Sequence, residues 1–452
     1  MMRSSKWLKL IRMAVYAGIS SVFFLSCNTN AYEGMVVAVE LAGEIGVFEG
    51  AQLLVIDPVH PGKSAKELAK DFHSACSPSL NHEGRYLSFQ GKQRENDPWQ
   101  IWVMDLQKGK TSRVTDLGEN CTHPAALPDG SIIFSREATL KNIKVHELWK
   151  CQMDGTGLTR LTFNPASNLH ASVLNEGRIL YTSSVQYPDP QLPVMMVMRP
   201  DGTKSEIYSY GCCGVHPAGS GTESSDGYIY FIGNGGELAR VLHRRPLHTF
   251  ENLSAGLSGS FFAVVPEESG CLVSYQPSEG EACGLYRFDP ETRETPTRIY
   301  QGEKHLTDPV PIAAMPERPR ILPSAVNHNN ATSLLMSQDI NHSQLPVHPG
   351  ITGDTIADRI RVSTLEKELA VVEVKADGSF YLKMDSDTPF RIETLNRQGE
   401  TVRGPSDWIY LRPNERKACV GCHADPELAP KNFQPLAVKE DPVVLSAEKK
   451  AI

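Results

Sequence analysis

The run Cys419-Val420-Gly421-Cys422-His423 sets two thiols and an imidazole at a spacing that few chemistries use. Two intervening residues let the thiols span the vinyl groups of a porphyrin, and the adjacent histidine reaches the iron from one side. The expectation is one covalent haem c, with thioethers at Cys419 and Cys422 and His423 as axial iron ligand. A zinc site would need further Cys or His close by, yet neither occurs after His423. A thioredoxin-like pair needs a strand-to-helix context, whereas turn residues Arg412-Pro413-Asn414-Glu415 and Asp425-Pro426-Glu427 flank this one. The other face of the iron stays open: His328, His342, His348, Met336, Met384 or no protein ligand would each serve. That choice separates electron transfer from small-ligand chemistry. A single haem forms no long electron wire, so a redox partner protein is expected to dock close to it.

A second set of candidate ligands belongs to a repeat. Ser77-Pro78, His123-Pro124, His170-Ala171 and His216-Pro217 recur at about 46 or 47 residues, and Trp102, Trp149 and Met196 keep the same period. Between the landmarks lie turns and apolar strands, as in Pro128-Asp129-Gly130-Ser131-Ile132-Ile133-Phe134. Turn and strand alternating at this period describe the four-stranded blade of a propeller, five or six blades over residues 50–305. The first strand of a blade lies nearest the central axis. His123, His170 and His216 are therefore candidates for a transition-metal site at one mouth of the channel; alternatively each caps its own strand and they share only descent. Cys76, Cys121, Cys212 and Cys213 fall beside the same landmarks, as soft ligands, disulfide partners or small buried residues.

Haem attachment of this kind takes place outside the cytoplasm, and the start of the chain supplies an address. Arg3, Lys6, Lys9 and Arg12 precede an apolar run from Met13 to Leu25, too short for a comfortable span and typical of a secretory signal. Phe24-Leu25-Ser26-Cys27 resembles a bacterial lipobox, which implies lipidation of Cys27, cleavage after residue 26 and a membrane attachment. Asn28 in place of aspartate implies the periplasmic face of the outer membrane, the alternative being a soluble periplasmic protein. Of the ten cysteines, Cys271 and Cys283 flank a Gly/Pro/Ser turn and are the disulfide candidates. A hydrophobic content of 40% and a charged content of 22% describe a globular chain, and a net charge of −8 argues against nucleic acid as a partner.

From residue 306 to 325 prolines accumulate, which reads as an extended linker. Strand patterns resume beyond it, with Asp377-Gly378 turning a hairpin into Phe380-Tyr381-Leu382, so residues 326–445 form a small β-rich domain that ends in the haem motif. The fold class is mainly β: an N-terminal five- or six-bladed β-propeller followed by a β-rich c-type haem domain.

The propeller repeats resemble the TolB-like, PD40 class. Asp308-Pro309-Val310-Pro311, Asp377-Gly378-Ser379-Phe380, Asp387-Thr388-Pro389-Phe390, the run from Trp408 to Arg416 and the CxxCH resemble the hydrazine synthase α subunit family, loosely over the propeller and more closely from about 308 to 445. The resemblance implies a propeller, a haem-bearing middle domain and, in that family, a further haem domain and a tyrosine ligand shortly after the motif. This sequence has one CxxCH and no tyrosine after Tyr410. The expected function is an exported, lipid-anchored haem protein with a redox or electron-transfer role, its propeller a docking and shielding platform. The alternatives are a hydrazine synthase-like haem oxidoreductase acting on a small nitrogen compound, and a propeller binding module with a structural haem. The substrate is not legible.

Overall fold

The computed structural model describes residues 31–184, 192–315, 317–344, 346–351, 354–422, 425, 427–428 and 433–446. Cys27, the segment expected to be a signal peptide, and His423 lie outside them. Six four-stranded antiparallel sheets form the propeller. Five come from consecutive stretches: Ser74–Leu80 to Lys110–Arg113, Cys121–Ala126 to Thr159–Arg160, Asn168–Val173 to Glu206–Ser209, Thr222–Glu223 to Glu251–Asn252, and Ser260–Glu267 to Thr297–Tyr300. The remaining one, the first blade, joins both ends of the ring: Leu306–Pro311 is its innermost strand, paired to Val36–Glu40 in the register Val36↔Pro311, Val37↔Val310, Glu40↔Leu306. The ring therefore runs from residue 36 to 311, beyond the 50–305 read from the repeat.

Blade strands are buried on both faces because each sheet packs between two neighbours, which is why Val36, Val37, Ala38 and Val39 form an unbroken apolar run. Ile101, Val103, Cys121, Ile132, Phe134 and Cys151 fill one such seam, between the second and third blades. Each fully buried Phe or Ile there is worth about 1.5–3 kcal/mol of transfer free energy. The innermost strands share one irregularity, a register shift in which Ser77, His123, His170 and Asp308 take positive φ of 50°, 50°, 54° and 48°. It is a β-bulge at the same level of four successive blades. Proline follows at Pro78, Pro124 and Pro309, where the ladder is already broken and no donor is lost.

The proline-rich 306–325 segment is thus two things. Its first six residues are a blade strand, and the rest is a strap held on the rim. Met315 N donates to His82 O at 2.9 Å, Arg318 Nε to Pro128 O at 3.1 Å, Arg320 N to Asn175 O at 2.9 Å and Ala325 N to an Asp201 carboxylate oxygen at 2.6 Å. The strap touches the rim turns of the second, third and fourth blades in succession. Gly177, at φ +93°, is required beneath it, since a Cβ there would stand 2.2 Å from Arg320 O.

The second domain is a sandwich of two four-stranded sheets. One is antiparallel, in the order Glu368–Glu373, Arg359–Thr364, Phe390–Leu395, Thr401–Arg403. The other is mixed, in the order Arg416–Gly421, Thr332–Asp339, Phe380–Asp385, Val443–Leu445, with both edge strands parallel to their neighbours. Leu335, Ile360, Val362, Leu382, Phe390, Val402 and Leu411 meet between the sheets. Alternation is visible in Thr332–Asp339, where Ser333, Leu335 and Ser337 face inward.

The proposed Cys271–Cys283 disulfide is absent: both thiols are free and buried. Hairpin register explains it. Cys271 pairs with Phe288, while Cys283 precedes Gly284, the partner of Tyr275. Flanking one turn in sequence leaves the two cysteines about 17 Å apart along the ladder at roughly 3.4 Å per residue, far beyond bridging distance.

Candidate functional site

Arg416–Gly421 carries the first three residues of the motif along the open edge of the mixed sheet. Parallel pairing sets Ser337 opposite Cys419 and Asp339 opposite Gly421. Cys419 is half-buried and packs against the sandwich core. Gly421 is dictated by its neighbour, because a Cβ would stand 2.1 Å from His342 O. Cys422 follows, also half-buried, and neither thiol is bridged. Burial pushes the Cys422 thiol up to about 11, against the opposing influence of Arg403, and raises Cys419 as well.

The surroundings fit a covalently held porphyrin. Two unbridged thiols stand at one sheet edge, and across from Cys419 the buried Ser337 Oγ has no hydrogen-bond partner. Among the described residues no group of three or more His, Cys, Asp or Glu is placed to hold a metal ion. Cys419, Cys422 and His423 would hold the haem.

The motif lies between two attachments to the propeller. On its N-terminal side Arg412 is buried, donates to Asp201 O at 3.2 Å, pairs with Asp387 at 2.9 Å and stacks 4.6 Å from the Phe163 ring. Glu415 accepts from the backbone N–H of both Arg412 and Lys204 at 2.8 Å, and Lys417 Nζ donates to Ser205 O at 2.5 Å. These contacts use the turn at 201–205 in the fourth blade. On the C-terminal side Asp425 pairs with His248, while Glu427 accepts from Leu247 N at 2.8 Å and lies 3.5 Å from Arg245. Those partners sit in the corresponding turn of the fifth blade. Tyr208 and His243 link the same two blades through a 2.9 Å hydrogen bond.

None of these propeller residues stood out in the sequence. The signal was present as charge: His243-Arg244-Arg245 and His248 form a basic turn in a chain of net charge −8, facing the acidic Asp425 and Glu427. Of the candidates for the other iron face, His342 stands beside Gly421, whereas Met384 is sealed in the sandwich core. Met336 pairs with Ala418 and Tyr381, His348 Nδ1 lies 3.1 Å from Pro349 O, and His328 is exposed.

The channel departs from the three-imidazole expectation. His123 and His170 do meet, with ring centroids 4.1 Å apart. His216 does not join them: it is half-buried, with Nδ1 3.0 Å from Tyr210 O, because the fifth blade has an inner strand of only two residues and lacks the bulge that aims the other two. Burial and each other's proximity push His123 down, and burial with His146 nearby takes His170 to about 4. Asp308, the equivalent position in the first blade, is raised by burial to about 6.

Comparison with known proteins agrees with this architecture. Residues 320–424 match the family model for the hydrazine synthase alpha subunit middle domain. The hydrazine synthase subunit alpha of Kuenenia stuttgartiensis is 20% identical over 511 aligned residues, covering 83% of this chain and 62% of the relative, so the chain spans less than two thirds of that protein. The solved Kuenenia stuttgartiensis hydrazine synthase superposes with a TM-score of 0.77 at 19% identity, over 90% of this chain and 71% of that one. TolB from Acinetobacter baumannii gives a TM-score of 0.45 at 16% identity, over 62% and 66%. The fold of this chain is thus similar to that of the solved hydrazine synthase, and residues 320–424 are similar to the hydrazine synthase alpha subunit middle domain.

Proposed function

We propose that this protein is an exported, lipid-anchored c-type haem protein with a redox role, in which Cys419 and Cys422 hold the porphyrin and His423 binds its iron. The observation that carries the reading is the pair of unbridged, half-buried thiols separated by two residues at the sheet edge, with histidine next in the sequence. When bound, the group supplies one-electron chemistry or small-ligand binding, according to the occupant of its second face. The chain's own residues do the rest. The sandwich edge presents the thiols, and the propeller turns hold the flanking segments so that one side of the site is walled by protein. A redox partner would approach the side that the propeller leaves open.

The second reading is an oxidoreductase of hydrazine synthase type acting on a small nitrogen compound, favoured by the match over residues 320–424. One preparation tests both. The mature protein, made with a c-type maturation system, should keep its colour and a mass increment of one haem after extraction with acidified organic solvent. Colour lost to the solvent would overturn both readings. With haem retained, formation of an N–N bond from simple nitrogen substrates would select the second.

A further inference from the structure

The described cysteines fall into three groups. Cys76, Cys121, Cys151, Cys271 and Cys283 are buried, Cys419 and Cys422 are half-buried, and Cys212 and Cys213 are exposed. The exposed two are neighbours in sequence, and their Sγ atoms lie 2.6 Å apart. They sit between the outer strand of the fourth blade, Glu206–Ser209, and the short inner strand of the fifth, Thr222–Glu223. A two-residue turn presents them: Cys212 N donates to Val215 O at 3.0 Å and Val215 N to Cys212 O at 2.9 Å, with Cys213 and Gly214 at φ of 58° and 87°. Positive φ at both central positions is the type I′ geometry, which asparagine followed by glycine fills most easily. Here a cysteine takes the asparagine's place. The turn is fastened at both ends: a Cβ on Gly211 would stand 2.1 Å from Val215 O, and His216 N donates to Asn234 Oδ1 at 3.1 Å.

We propose that Cys212 and Cys213 form a thiol–disulfide exchange site, which takes a small-molecule or protein disulfide as oxidant and closes to a bond between the two neighbours. One cysteine, as thiolate, attacks a sulfur of the incoming disulfide and expels its partner as a thiol. The other cysteine then attacks the mixed disulfide and releases the second thiol. In sum two S–H bonds of the protein break and one S–S bond forms, while two electrons and two protons pass to the incoming disulfide, which leaves as two thiols. Sulfur atoms already in contact need no backbone movement to close. The bond is nonetheless strained, because the peptide between them is trans and sets the Cα atoms about 3.8 Å apart, whereas relaxed disulfides span about 4.4–6.8 Å. Strain of this kind makes a bond easier to reduce, so the pair opens again where a structural bridge stays shut. The site uses neither a haem nor the CxxCH motif.

The experiment treats the full-length protein with excess oxidised glutathione, blocks the remaining thiols with iodoacetamide and weighs the tryptic fragment 205–240, which holds Cys212 and Cys213 and no other cysteine. The wild-type fragment should be about 2 Da lighter than its reduced form and free of alkylation. It should exceed the glutathione adduct about tenfold, because the neighbouring thiol acts at high effective concentration. Millimolar reduced glutathione should reopen it. Cys212→Ser and Cys213→Ser should each carry one glutathione instead, which shows access without closure. A wild-type fragment that is doubly alkylated, carries glutathione at both positions, or is cross-linked to another cysteine or another chain overturns the proposal. So does an internal bond that reduced glutathione leaves closed, or serine variants that fold by circular dichroism yet take no glutathione.

Discussion

The propeller closes on itself and the sandwich does not. In the ring, Val36–Glu40 and Leu306–Pro311 complete the first blade, and every blade face is covered by a neighbour. In the sandwich, Arg416–Gly421 is an open edge, and the elements that steady it and its flanks come from the propeller: the 201–205 turn, through Arg412, Glu415 and Lys417, and the fifth-blade turn. The difference teaches where a reactive group can be kept. A closed ring offers rigidity but no free backbone edge, whereas an open edge held against a ring offers both.

The contrast breaks most directly at Phe390, fully buried between the two sheets. Phe390→Ala should cost about 3–5 kcal/mol and unfold the sandwich first, leaving the ring's calorimetric transition in place. A single transition shifted as a whole would mean that ring and sandwich fold as one unit. Next is Arg412→Ala, which strands Asp387 in a half-buried interface and should cost about 3 kcal/mol. Limited proteolysis of the 313–325 strap should accelerate in that variant without loss of propeller circular dichroism.

The channel sharpens the comparison through pH. Asp308 is raised from 3.8 to about 6, so it disfavours folding as pH rises through that window. His170 is lowered from 6.5 to about 4, so it disfavours folding as pH falls through nearly the same window. The two slopes oppose each other. Asp308→Asn should unmask the histidine term as extra acid sensitivity between pH 6.5 and 4, worth up to about 3 kcal/mol in denaturant titrations compared with wild type at each pH. An unchanged difference across that range would refute the assignment. The smallest effect belongs to Lys141→Ala at the tip of the long Ser131–Leu140 hairpin, whose exposed pair with Glu366 at 3.1 Å should contribute less than about 1 kcal/mol to thermal stability.

Much of this was legible from short-range pattern. The period of Trp102, Trp149 and Met196 marks the third strands of three blades, and the Ser77, His123 and His170 landmarks mark the bulges. What pattern could not carry was pairing between distant segments. Asp308-Pro309 is the same landmark as His123-Pro124, but it read as linker because its partner strand lies at the other end of the ring. Cys271 and Cys283 were misjudged for the complementary reason: a turn was recognised, yet the register that sets its ends apart was not. His216 kept its sequence spacing and lost its geometry when the fifth blade shortened. At the motif, residue types and spacing alone carry the haem proposal, whereas the basic turn at 243–248 gained meaning only once the fold set it against Asp425 and Glu427.

Ring closure through the first and last propeller strands also imposes an order of assembly. The first blade has no inner strand until residue 311 has emerged, so the ring completes late in synthesis, and Cys419 and Cys422 emerge later still. By the time Cys419 and Cys422 emerge, the fourth- and fifth-blade turns that will receive the flanking segments already exist. A chain halted before that closing strand would expose an incomplete first blade whose unpaired edge invites a strand from another copy.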